Sequence, residues 1–120
     1  RLNDNVIVAG DFNNVGDQNI SNPAISPFID IVNYDFAKHF KMIDINILTG
    51  SENKYSWQGW TSSYSPAHFD HIIITKPLFT FSDNSTIDVI NTPIETGFSS
   101  TTVLNTISDH QPVFFSFTID

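Results

Sequence analysis

The chain has 120 residues, 40% of them hydrophobic and eleven of them Phe, with a formal net charge of −8 and only five basic residues. That length and apolar content describe one globular segment, not a disordered tail. The absence of cysteine excludes disulfides and thiolate metal sites, and the scarcity of cations disfavours broad binding of a nucleic-acid backbone by this segment, although acidity suits carboxylates gathered around a divalent cation.

The first predicted element is the strand Val6-Ile7-Val8, apolar and β-branched throughout. Such a run reads as buried on both faces, with the turn residues "GDFNN" closing it. Residues 26–40 predict a helix. Ser26 is the N-cap and Pro27 the first helical residue, and Phe28, Val32, Phe36 and Phe40 form one apolar stripe with Ile25 and Ile29 beside it. Asp30 near its start and Lys38, His39 and Lys41 near its end complement the helix dipole. Residues 42–48 are apolar and irregular, 55–57 ("YSW") form a short strand, and 58–67 are a polar loop bearing aromatics. "FDHIIIT" at 69–75 is a second strand buried on both faces. "TIDVIN" at 86–91 alternates as a half-exposed strand does, and 96–106 are polar loop. The last strand, 112–119, places Val113, Phe115, Phe117 and Ile119 on one face. No apolar run approaches the about 20 residues of a membrane-crossing helix, so no transmembrane segment is expected. The sum is an α/β chain of the α+β type with a mostly antiparallel sheet. A single helix covers only one side of a sheet, so either the domain pairs with another copy of itself or the segment belongs to a larger sandwich, and the second is the favoured expectation.

Acids and amides stand at the strand ends in three places: "GDFN" (Asp11, Asn13), "FDHI" (Asp70, His71) and "SDH" (Asp109, His110). In an antiparallel sheet the end of one strand lies beside the start of its neighbour, so the three can meet along one edge, with Pro112 and the Phe-rich strand as rigid support. Such a cluster suits metal-assisted phosphoester hydrolysis. Carboxylates hold a hard cation, a second carboxylate orients or deprotonates water, and a histidine held by its own carboxylate donates to a phosphate oxygen.

The ordered set "VIVAGDFN", "YSW", "FDHIIIT" and "ISDHQPVFFSF" resembles the C-terminal half of the endonuclease/exonuclease/phosphatase superfamily, the DNase I-like fold, over nearly the whole chain. The resemblance implies half of a four-layer α/β sandwich, with residues 1–120 as one segment whose N-terminal half is missing. It implies a Mg²⁺-dependent (or Mn²⁺- or Ca²⁺-dependent) phosphoesterase. Asp11 would activate water, Asn13 would bond the scissile phosphate, His110 would contact that phosphate with Asp70 as its carboxylate partner, and Asp109 would join Asp11 in the metal shell. Nucleic acid, phosphoinositide and phospholipid headgroup all fit as substrates. The family's metal-binding Glu and second His have no counterpart here, so the isolated segment is expected to be inactive, its partner being the N-terminal half. The alternative is a non-catalytic copy of the fold kept for binding or assembly. Many members carry Arg where this chain has His68.

Other residues read more plainly. Trp57 is a candidate for substrate contact, and with Trp60 and Tyr64 it also suits core and loop anchoring. In a strand, His68 and Asp70 would face one way and His71 the other, so the three would not meet at one ion. His71 reads as packing or surface, His68 stays open, Asp44 reads as structural, and His39 as a charge at the helix C-terminus.

Overall fold

In the computed structural model, residues 4–13, 39–45, 47, 54–59 and 66–118 are described. The chain is a small α+β fold. Three antiparallel strands form one sheet in the order β1 (Ile7–Asp11), β3 (Asp70–Thr75), β2 (Phe40–Met42); β4 (Thr86–Val89) and β5 (Val113–Ser116) form a second antiparallel pair. A 3-10 turn (Lys76–Leu78) runs into the short helix α1 (Phe79–Ser82), and the helices α2 (Thr92–Thr96) and α3 (Ser100–Thr106) fill the connection between β4 and β5.

β3 is the central strand, and its isoleucines follow the period-2 rule. Ile73 packs with Met42 on one face, with Phe12, Phe40 and Ile45 against them. Ile72 and Ile74 point the other way and join Ile43, Leu78, Ile87, Val113 and Phe115, which ties the first sheet to the second. On β5 the inward residues Val113 and Phe115 are half-buried while Phe114 and Ser116 are exposed, as the alternation predicts.

β1 departs from expectation. It is a strand at the predicted place, yet every residue of it is exposed, with Ile7 47% and Val8 45% accessible. Among the described residues it is an edge strand with β3 as its one neighbour. A run of β-branched residues records a strong preference for extended backbone but does not report whether both faces are covered. Thr75 fastens its start: the Thr75 hydroxyl donates to the Asp4 carbonyl (2.7 Å) and accepts from the Val6 N–H (2.9 Å).

Phe40, assigned by its spacing to the helix, opens β2 instead, and His39 stands in the turn before it; the remaining helix positions lie outside the described residues, as do Trp60 and Tyr64. The segment 55–57 makes isolated bridges from Trp57 to Ala67 and His110 in place of a full strand. The stretch 96–106, read as loop, contains α3. Its N-cap Ser99 accepts from the Thr102 N–H (3.1 Å), and Val103 is its buried residue. With one anchor in seven residues no apolar stripe can show. α2 is capped by Asn91 and stopped by Gly97 at φ 71°, the left-handed conformation that glycine adopts without strain. Among the described residues, no helix is long and apolar enough to cross a membrane.

Candidate functional site

β3 presents its two faces to two different polar clusters. Asp70 lies on the face of Ile72 and Ile74, and its register partner on β1 is Asp11. Two carboxylates directly opposite one another repel, and His110 enters beside them from the loop before β5. Its Nδ1 is 2.7 Å from Asp70 Oδ2 and its Nε2 is 4.0 Å from Asp11 Oδ2. A carboxylate only accepts, so Nδ1 carries the hydrogen of the 2.7 Å bond, and Nε2 is the ring atom left to exchange a proton. All three side chains are partly open to solvent.

The supports of this cluster are local. Ser56, fully buried, accepts from the N–H groups of Phe69 (3.0 Å) and Asp70 (3.1 Å) and so fixes the entry of β3. The His110 N–H donates to Ser108 Oγ (2.9 Å). Asn13 stands at φ 51°, a left-handed conformation that Asn tolerates, and its N–H donates to Asp11 Oδ1 (2.7 Å), leaving Oδ2 toward His110.

The structure therefore brings Asp11, Asp70 and His110 together. Asn13 takes part through its backbone. Asp109 faces Trp57, whose indole N–H donates to Asp109 Oδ2 (3.0 Å). Trp57 is buried and stacks at a tilt on Phe69 (5.3 Å between centroids), which makes it a support for Asp109 and not an open stacking face. A cavity of about 290 Å³ lies beside Asp109, lined also by Gln58, Gly59, Ser108 and Val103. A larger one, about 770 Å³, lies over β4 and β5 between Lys54, Asp88, Glu95 and Phe114 and contains none of the three clustered residues.

The opposite face of β3 carries a cluster that the sequence reading did not assemble. Asp44, His68 and His71 are all buried. Asp44 Oδ1 accepts from the Ile72 N–H (2.9 Å), Oδ2 bonds His71 Nδ1 (2.6 Å), and His68 Nε2 stands 3.3 Å from Oδ2. Burial, the strongest single influence, pushes the Asp44 carboxyl up, but the two histidines and the Ile72 N–H together outweigh it and hold the group below its ordinary range. One donor atom from each residue lies within 4.8 Å of the others, so the group could hold a metal ion. The expectation that His68 and His71 face opposite ways fails because β3 begins at Asp70. His68 precedes the strand and is free of its alternation.

Comparison with protein-family profiles, with curated proteins and with solved structures finds no match for this chain.

Proposed function

We propose that the chain carries the acid–base part of a metal-dependent phosphoesterase site of the endonuclease/exonuclease/phosphatase type. The observation that supports this reading is the Asp11–His110–Asp70 arrangement: an imidazole held at Nδ1 by one carboxylate with Nε2 turned toward a second.

In this reading Asp70 fixes the ring, and His110 donates from Nε2 to a non-bridging phosphate oxygen as negative charge develops there. Asp11 takes the proton of the attacking water. The new P–O bond forms as the ester P–O bond breaks, and the leaving oxygen departs with the bonding electrons. Asn13 holds Asp11 through its backbone and sits at the rim where the scissile phosphate would lie. By the resemblance the hard cation would fall to the carboxylates of Asp11 and Asp109, although Asp109 is turned toward Trp57; Mg²⁺ held there would supply neutralisation of phosphate and leaving-group charge. Two carboxylates leave such a cation short of ligands, and we assign the rest to a preceding half of the same sandwich.

The test is hydrolysis of bis(4-nitrophenyl) phosphate with Mg²⁺ by the protein containing this chain. His110→Ala is expected to lower kcat by about 10²–10⁴-fold, the usual worth of a positioned acid or base, with the fold intact by circular dichroism. A folded His110→Ala variant that hydrolyses as fast as the parent overturns the reading.

A further inference from the structure

The cluster behind β3 takes no part in the chemistry above. Asp44, His68 and His71 are 0%, 2% and 1% exposed, and a buried carboxylate requires a compensating positive charge. The ion-pair contacts of Asp44 are to these two histidines. His68 supplies a second, independent observation. Its Nε2 approaches Asp44 Oδ2 at 3.3 Å, yet among the described residues neither of its ring nitrogens has a hydrogen-bond partner of good geometry. A wholly buried imidazole is costly in that state unless its lone pair is directed at something else.

One edge of the triad already has the length that a tetrahedral cation requires. With metal–ligand bonds of about 2.0 Å, two ligands of a tetrahedron stand about 3.3 Å apart, which is the separation of His68 Nε2 from Asp44 Oδ2. Two imidazole nitrogens and one carboxylate oxygen form a borderline donor set. It suits Zn²⁺, whereas Mg²⁺ prefers oxygen alone. The Ile72 N–H on Asp44 Oδ1 fixes the carboxylate plane from outside the donor set, as outer partners of metal ligands commonly do.

We propose that Asp44, His68 and His71 form a zinc site, separate from the Asp11–Asp70–His110 cluster and independent of whether that cluster hydrolyses phosphoesters. The His71 Nδ1–Asp44 Oδ2 contact, 2.6 Å, is a hydrogen bond. The cation takes the place of its hydrogen, which leaves to solvent as a proton, and the two atoms separate to the tetrahedral edge. No electron is transferred. The site ties the residues after β2 to the entry of β3 and stabilises the fold from the side away from Asp70.

The full chain, stripped with a chelator, is titrated with Co²⁺ as a spectroscopic stand-in and then with Zn²⁺. The expected result is the visible absorption of tetrahedral cobalt, saturating at one equivalent, abolished by Zn²⁺, and a rise in thermal midpoint with Zn²⁺. His68→Arg puts a fixed positive charge beside Asp44 without offering a metal ligand; it is expected to fold, to lose the cobalt band, and to melt at the same temperature with and without Zn²⁺. Asp11→Asn is expected to keep the band. A parent chain with neither band nor zinc-dependent midpoint overturns the proposal. So does a folded His68→Arg variant that retains the band, or loss of the band in Asp11→Asn with retention in His68→Arg, which would put the ion in the other cluster.

Discussion

Ile7 and Ile74 are register partners on adjacent strands, yet one is 47% exposed and the other fully buried. The same substitution at both sites therefore separates core from edge within one rung of the sheet. Ile74→Ala removes apolar atoms packed against Ile43, Ile72 and Leu78 and leaves a void that close-packed neighbours refill only in part. Buried Ile→Ala changes cost about 2–5 kcal/mol, against a total of about 6–18 kcal/mol for a chain of 120 residues. At Ile7 about half the side chain is already wet and no closed void can form, so the loss is about 1 kcal/mol. The entropy of unfolding scales to about 0.25 kcal/mol/K for this length, so the expected fall in thermal midpoint is about 8–20 °C for Ile74→Ala and about 4 °C for Ile7→Ala. Calorimetry of the two variants beside the parent chain measures both. Equal losses would refute the exposure of β1 and restore the doubly covered strand that its sequence suggests. If a preceding half covers β1 in a longer protein, Ile7→Ala costs more there than in this chain, which makes the same pair of variants a probe for that half.

Under the proposed phosphoesterase reading, Asp70→Asn keeps the size of the side chain but removes the charge that fixes the His110 ring, so turnover is expected to fall about 10²-fold or more with little change in KM; unchanged kcat in a folded variant would remove Asp70 from the site. Ser56→Ala deletes the acceptor shared by the Phe69 and Asp70 N–H groups, an expected loss of about 1–3 kcal/mol by chemical denaturation, and a loss within error would show that water replaces the hydroxyl. Lys54 Nζ bonds Asp88 Oδ1 at 2.5 Å; this bond, more than the Val89 N–H, holds the Asp88 carboxyl below its ordinary range. A carboxyl depressed in the folded state stabilises above its unfolded value, near 3.8, and loses that contribution as pH falls below it. Both side chains are over a third exposed, so solvent screening limits the pair to about 0.5 kcal/mol. Lys54→Ala should thus destabilise by a few tenths of a kcal/mol at pH 6 in low salt and by nothing measurable at pH 3; a penalty independent of pH would mean that Lys54 acts through packing.

What the sequence disclosed follows from which forces are local. The extended preference of Ile72–Ile74 and the alternation at 113–117 are properties of adjacent residues, and β3 and β5 stand where those patterns put them. Coverage of β1 depends on what lies across the sheet, so Val6-Ile7-Val8 and Ile72-Ile73-Ile74 look alike in sequence and differ in burial. α2 and α3 are set by caps at Asn91 and Ser99 and by Gly97, with little apolar periodicity to announce them. Asp11 and Asp70 were findable because they end one strand and begin another and antiparallel pairing brings such ends together, whereas His110 reaches them from the loop before β5, a strand of the other sheet. The contacts of Asp109 with Trp57 and of His68 with Asp44 cross 52 and 24 positions and depend on side-chain direction outside regular strands, where no period applies.

The polar clusters also answer a problem that the apolar core of β3 leaves open. Three consecutive isoleucines place Ile on both faces of the strand, so a slip of one residue still leaves isoleucine at two of the three positions. The same slip carries Asp70 to the rear face and His71 to the front. Asp44 would then confront a second carboxylate in a site where it is fully buried, and His110 would lose the acceptor at its Nδ1. Like charges without compensation in the interior cost several kcal/mol. The register of β3 is thus set by Asp70 and His71, adjacent residues with opposite partners, more than by the hydrophobic run that forms the strand, and the alignment of Asp70 with Asp11 and His110 depends on that register.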